Sequence, residues 1–100
     1  KVSGLATSLG ARQVCDRSVA LARELPVRSH VVTDAQAVRG CADLLAAHRL
    51  LTEPACGASI AGLDGLRRHF PNATRVAVIV CGGVGVTADL LQAWVRETQA

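Results

Sequence analysis

Residues 75–91 have the sequence RVAVIVCGGVGVTADLL and predict a strand, a glycine-rich turn and a helix in succession. Residues 76–80 form an uninterrupted apolar run rich in β-branched side chains, which is typical of a strand buried on both faces of a parallel sheet. Cys81 ends this strand, and the glycines after it let the backbone turn sharply and approach a ligand. Thr87 is the expected N-cap of the helix. Because ligands of α/β proteins bind at the carboxyl ends of such strands, this turn is the candidate site.

The rest of the chain alternates between helical and extended patterns, which indicates an α/β fold. The predicted elements are a loop or helical turn over residues 1–11, a helix over 13–25, a strand over 27–33, a helix over 35–48 capped by Asp34, a helix from Pro54 to about residue 70, and a turn over 71–74. Two strands do not make an independent sheet. We therefore expect the 100 residues to be part of a larger α/β domain, or to add strands from a partner.

The helix that begins at Pro54 is rich in small side chains, including Gly57, so a neighbouring helix or sheet can approach it closely. Glu53, just before this helix, is expected to be a carboxylate favoured by the helix dipole. In the preceding helix, Cys41 falls on the apolar face and is expected to be a packed core thiol.

Composition narrows the possible partners. The net charge is +3, the basic residues are scattered, and Phe70 and Trp94 are the only aromatic residues. Nucleic-acid-binding proteins usually carry a clustered basic stripe with stacking aromatic residues, so we expect no nucleic-acid partner. No segment approaches the roughly 18 consecutive apolar residues of a membrane span, so we expect no membrane partner. The four cysteines lack metal-binding or disulfide-framework spacing and predict free thiols in a reducing compartment, such as the cytoplasm.

The glycine-rich turn permits two chemical interpretations. Residues 83–88, GVGVTA, match the G-x-G-x-x-A fingerprint of dinucleotide-binding sites. That fingerprint requires an acidic residue about 20 positions later, and Ala100 ends the sequence before that position. The alternative is a turn that holds another cofactor, with Cys81 directed at it.

Two blocks, EPACGAS at residues 53–59 and VIVCGG at residues 78–83, resemble the C-terminal part of the serine/threonine dehydratases, which are pyridoxal-phosphate enzymes of fold type II. The resemblance extends to SGLATSLGA at residues 3–11 and SHVVTD at residues 29–34, and so covers essentially the whole chain. It implies part of a three-layer αβα fold with parallel strands, like the β subunit of tryptophan synthase. Residues 1–100 would be the C-terminal segment of the large cofactor-binding domain.

The resemblance also implies a site. Cys81 would lie beside the pyridine nitrogen of pyridoxal phosphate, and Gly82 and Gly83 would give the ring access. Ser8 would face the substrate, and the main-chain carbonyls of Leu9 and Ala11 would bind a monovalent cation, potassium or sodium. The sequence departs from the family where Val84 and Gly85 replace a polar pair, so any side-chain hydrogen bond from those positions is lost.

The implied activity is deamination of L-serine, and also L-threonine, to a 2-oxo acid and ammonia by an enzyme that is expected to be a homodimer. The Schiff-base lysine of the family belongs to an upstream Ser-x-Lys segment, and Lys1, the only lysine, lies in the wrong segment. The 100 residues are therefore expected to be inert alone.

Two alternatives remain open. One is a non-catalytic remnant that binds a full-length subunit through an exposed apolar sheet edge. The other is a different fold-type-II enzyme, such as a threonine synthase or a cysteine synthase, which commonly carries serine or threonine at the position of Cys81.

Overall fold

A computed structural model describes residues 3–100, and its regular structure is helical. A single 3₁₀ turn, Thr7–Leu9, precedes five α-helices in this part of the chain. The helices are α1 (Asp16–Glu24), α2 (Asp34–His48), α3 (Pro54–Ala61), α4 (Leu63–His69) and α5 (Ala88–Thr98). None of these helices combines the length and the apolar character needed to cross a membrane.

The residue that caps α2 is Thr33, so the prediction that Asp34 is the N-cap is wrong by one position. The Thr33 hydroxyl accepts the N–H of Gln36 at 3.2 Å, and the Gln36 side chain accepts the N–H of Thr33 at 2.8 Å. This reciprocal pair is a capping box. The Asp34 carboxylate instead accepts the N–H of Leu5 at 3.1 Å and so anchors the amino-terminal segment.

The helix predicted from Pro54 to about residue 70 is divided at Gly62. Pro54 occupies the first turn of α3, as predicted. At Gly62 the helix tightens, because the N–H of Gly65 bonds to the Gly62 carbonyl three residues back, at 3.1 Å. Glycine is a poor helix former, and the two shorter helices α3 and α4 result.

The two predicted strands, residues 27–33 and 76–80, are not strands in the described part of the chain. Ile79 is 75% exposed, so the prediction that residues 76–80 are buried on both faces is wrong. Val31, in the other segment, is 88% exposed. A strand forms only by hydrogen bonding to a neighbouring strand, and no described segment pairs with these two. Both segments have the apolar pattern of a strand, but residues 3–100 contain no sheet with which they could pair.

The core lies where α2 packs against α3 and α5. Val38, Cys41 and Leu91 are its buried centre, so Cys41 is a packed thiol, as predicted. A Cβ at Gly57 would overlap the Ala37 carbonyl and lie 2.7 Å from the Cys41 sulfur. Close approach of a neighbouring helix at the small residues of α3 is therefore confirmed. Thr87 caps α5, also as predicted, and accepts the N–H of Leu90 at 3.2 Å.

Candidate functional site

A cleft of 440 Å³ opens beside the glycine-rich turn. Its walls come from the amino-terminal segment, the start of α3, residues 81–86 and the first two turns of α5. Cys81, Gly82 and Gly83 all line it, and Leu90 and Trp94 of α5 supply an apolar side. The turn singled out in the sequence therefore borders a space large enough for a small ligand.

The thiol of Cys81 lies at the edge of this cleft and contacts two polar side chains. Its Sγ lies 3.5 Å from the Sγ of Cys56 and 3.8 Å from Oε1 of Glu53. The hydrogen bond with Cys56 is the largest cause that raises the pKa of the Cys81 thiol, followed by desolvation and by the negative charge that Cys56 and Glu53 can carry. These contacts thus favour the neutral, protonated form of the Cys81 thiol when no metal is bound.

Glu53 occupies the N-cap position of α3, but its side chain does not cap that helix. Instead, the Ser8 hydroxyl donates to Oε2 at 3.1 Å, while Oε1 faces Cys81. The prediction that Glu53 is only a carboxylate stabilised by the helix dipole therefore did not include its contacts with Ser8 and Cys81. Glu53 joins the 3₁₀ turn that carries Ser8 to the turn that carries Cys81.

Sequence reasoning also missed Cys56, which was identified only as a free thiol. Its side chain is fully buried in the first turn of α3. Its sulfur accepts the N–H of Cys81 at 3.3 Å and contacts the carbonyl of Gly82 at 3.4 Å. Its place in the EPACGAS block beside Glu53 is the one sequence feature that could have indicated a role.

The glycines of the turn were predicted to allow both a sharp turn and the close approach of a ligand, and only the sharp turn proves not to depend on them. No glycine among the described residues has a positive φ, so a sharp turn does not require them. Gly83 is needed for packing, because a Cβ there would lie 2.8 Å from the Cα of Thr52 and overlap the Leu51 carbonyl. At Gly82 and Gly85 a Cβ would meet no protein atom within 4 Å. These two glycines border open space, which leaves room for a ligand.

The predicted cation ligands, Leu9 and Ala11, lie near this site but are not brought into its cleft. Leu9 ends the 3₁₀ turn, and its side chain lines a second cavity, of 680 Å³, formed with residues 28–34. Ala11 is exposed two residues further along. The structure thus brings Ser8, through Glu53, close to Cys81, while a role for the Leu9 and Ala11 carbonyls stays a prediction.

Comparison with known proteins identifies the family. The family described as "Pyridoxal-phosphate dependent enzyme" matches residues 1–82, which include Ser8, Glu53, Cys56 and Cys81. The chain belongs to this family. Pyridoxal phosphate is the cofactor of the family, as the resemblance of the sequence implies.

Curated relatives are similar along nearly the whole chain. A human protein named serine dehydratase-like is 39% identical over 100 residues, which cover 92% of this chain and 30% of that protein. The human L-serine dehydratase/L-threonine deaminase is 33% identical over 104 residues, 93% of this chain and 31% of that protein. The L-serine dehydratase of Dictyostelium discoideum is 30% identical over 99 residues, 92% of this chain and 28% of that protein. The chain thus spans about 30% of the length of these relatives.

Proposed function

We propose that these residues form one wall of the active site of an L-serine dehydratase that also accepts L-threonine. Such an enzyme releases ammonia and a 2-oxo acid, pyruvate or 2-oxobutanoate, by β-elimination. The names of the relatives support this substrate class. The observation that carries the proposal is the neutral Cys81 thiol at the edge of a cleft, followed at once by a glycine that borders open space.

The residues present fit pyridoxal phosphate. Gly82 and Gly85 leave space that a Cβ would fill, and the Cys81 thiol would face the pyridine nitrogen. When bound, the cofactor supplies the electron-withdrawing ring that makes the α-proton of the amino acid acidic. Leu90 and Trp94 give the cleft an apolar side that excludes water from the ring.

Cys81 would set the electrostatics at that ring. A thiol whose pKa is raised keeps its proton and offers only a weak hydrogen bond. It therefore does not supply the charge that an aspartate supplies at the same place in other pyridoxal-phosphate enzymes. Elimination of a β-hydroxyl group requires less delocalisation of the carbanion's negative charge into the ring than transamination does. A neutral thiol therefore suits this reaction.

Ser8 and Glu53 would form the substrate side of the wall. Because the Ser8 hydroxyl donates to Glu53, its oxygen is held in one orientation beside the cleft. The main-chain carbonyls of Leu9 and Ala11 would bind potassium or sodium, which prefer oxygen ligands. The Schiff-base lysine would come from elsewhere in the complete protein, because Lys1 is the only lysine of this sequence and does not lie in a Ser-x-Lys segment.

The complete enzyme would be a homodimer of the cytoplasm. All four cysteines are free thiols, which supports a reducing compartment. Residues 1–100 would be the C-terminal segment of its large domain, and we expect these 100 residues by themselves to release no ammonia from serine.

The test uses the longest natural polypeptide that carries this sequence, loaded with pyridoxal phosphate. We expect it to form pyruvate and ammonia from L-serine, and 2-oxobutanoate from L-threonine. Cys81→Ala should shift the absorption of the bound cofactor and lower kcat, because the ring nitrogen loses its neighbour. Cys15→Ala, at an exposed thiol outside the cleft, is the matched control and should leave both unchanged.

Two results would contradict the proposal. One is a cofactor-loaded protein that releases no 2-oxo acid from either amino acid. The other is a Cys81→Ala variant whose absorption spectrum and kcat equal those of the Cys15→Ala control.

A further inference from the structure

Three potential metal ligands converge beside the cleft. The sulfurs of Cys56 and Cys81 and a carboxylate oxygen of Glu53 all lie within 4.8 Å of one another. They come from the start of α3 and from the glycine-rich turn, 25 residues apart between the two thiols. Deamination of serine assigns no role to Cys56, so the pairing of the two thiols has no explanation in the proposed function.

The spacing matches what a tetrahedral zinc ion requires. With Zn–S bonds of about 2.3 Å and a Zn–O bond of about 2.0 Å, two sulfurs lie about 3.8 Å apart, and a sulfur and an oxygen about 3.5 Å apart. The two sulfurs here are 3.5 Å apart, and the Cys81 sulfur is 3.8 Å from Glu53 Oε1. Both distances lie about 0.3 Å from the tetrahedral values.

The groups around the three ligands also suit a bound cation. The main-chain N–H of Cys81 donates to the Cys56 sulfur at 3.3 Å and so fixes its position beside the Cys81 sulfur. The Ser8 hydroxyl donates to Glu53 Oε2 and leaves Oε1 directed at the thiols. Such hydrogen bonds to ligating groups are the usual second layer of a protein metal site.

We propose that Glu53, Cys56 and Cys81 bind a zinc ion in the cofactor-free protein. Thiolate ligands select zinc over magnesium or calcium. Cys81 is exposed and borders the cleft, so the fourth position is open to water, as in zinc sites with three protein ligands. Because Cys81 would also face the cofactor ring, zinc and pyridoxal phosphate would exclude each other; this consequence rests on the proposed function, whereas the zinc site does not.

The test measures zinc binding to the full chain, freed of cofactor and kept with a phosphine reductant. Competition with a chromogenic zinc chelator gives affinity and stoichiometry, and cobalt substitution reports thiolate ligands by their charge-transfer absorption. We expect one zinc per chain. Cys81→Ser, at an exposed side chain, should weaken binding at least about tenfold, as losses at metal sites do.

Matched variants separate a zinc site from nonspecific thiol binding. Cys56→Ser and Glu53→Gln should also weaken binding, while Cys15→Ser should bind as the wild type does. Circular dichroism checks that each variant keeps its helices, and Glu53→Gln keeps the test decisive if the buried Cys56 position does not tolerate serine. No stoichiometric zinc, or equal affinity in the Cys81→Ser and Cys15→Ser variants, would overturn the site.

A final measurement addresses competition alone. Saturation with pyridoxal phosphate should release the zinc to the chelator. Zinc that stays bound at full cofactor occupancy would overturn the mutual exclusion while leaving the site in place, so failure of the proposed function and failure of the zinc site give different results.

Discussion

The thiols of Cys15 and Cys81 are both exposed but differ in their chemistry. The Ser18 hydroxyl lies 3.1 Å from the Cys15 sulfur, and this hydrogen bond is the largest cause that lowers the pKa of Cys15. At Cys81, the hydrogen bond with Cys56 and the nearby Glu53 raise the pKa. Since the thiolate is the reactive form, exposure alone does not decide which cysteine reacts.

We therefore predict that iodoacetamide at neutral pH alkylates Cys15 before Cys81. As the pH falls, the reaction at Cys15 should persist further, because a lowered pKa keeps the thiolate populated. Ser18→Ala should slow alkylation of Cys15 and leave Cys81 unchanged. Peptide mass spectrometry over a time course measures both rates, and faster labelling of Cys81 than of Cys15 would refute the prediction.

The roles of individual side chains could be predicted from the sequence where contacts with neighbouring residues of the chain determine them. Thr87 caps α5 because its neighbours along the chain suffice to define the cap. Thr33 and Asp34 are both good caps, and Thr33 is chosen because Gln36, three residues later, completes a capping box with it. The contact of Glu53 with Ser8 spans 45 residues, so no local pattern could reveal it.

Among the helices, α2 and α3 make the closest contact, at Gly40 and Gly57. A Cβ on either glycine would overlap backbone atoms of the other helix. We expect Gly57→Ala to lower the free energy of unfolding by about 1–3 kcal/mol, the usual cost of overpacking. Gly85→Ala is the matched control, because its Cβ meets no atom and its φ is not positive.

Urea-induced unfolding of both variants, compared with the wild type, tests this packing. The control should be as stable as the wild type or slightly more stable, since alanine restricts the unfolded chain. Equal unfolding midpoints for Gly57→Ala and Gly85→Ala would show that the two helices do not pack this closely.

Helices were more predictable than strands because their hydrogen bonds are local. The apolar period placed α2 and α5 nearly correctly, whereas α1 begins at Asp16 instead of residue 13 and the break at Gly62 was missed. A strand depends on partners elsewhere in the sequence. The β-branched run of residues 76–80 therefore has the composition of a strand without the pairing of one.

Residues 3–100 expose apolar side chains along both extended segments, including Val31 and Ile79. Exposed apolar patches with unpaired backbone favour association. We expect the 100-residue chain, expressed alone, to self-associate as its concentration rises in sedimentation velocity. Ile79→Lys should reduce association more than Val14→Lys, an equally drastic change at an exposed valine outside both segments. A monomer at all concentrations, or equal effects of the two changes, would contradict this.

The layered αβα arrangement implied by the family resemblance needs strands from outside these residues. Family membership is consistent with it, but the chain corresponds to about 30% of its relatives' length. The neighbouring strands of a parallel sheet lie far apart in sequence. A segment of this length can therefore form the helices of the domain without containing the strands that would pair in its sheet.

The bridge from Ser8 through Glu53 to Cys81 has a consequence for the order of folding. Its two links close loops of 45 and 28 residues, whereas α2 and α3 are joined by only the few residues between His48 and Pro54. Short-range contacts form sooner, because loop closure costs more entropy as the loop lengthens. During refolding, the α2–α3 pair should therefore form before the contacts of the glycine-rich turn. The cleft is complete only when Cys81 reaches the carboxylate of Glu53 at the N-cap of α3.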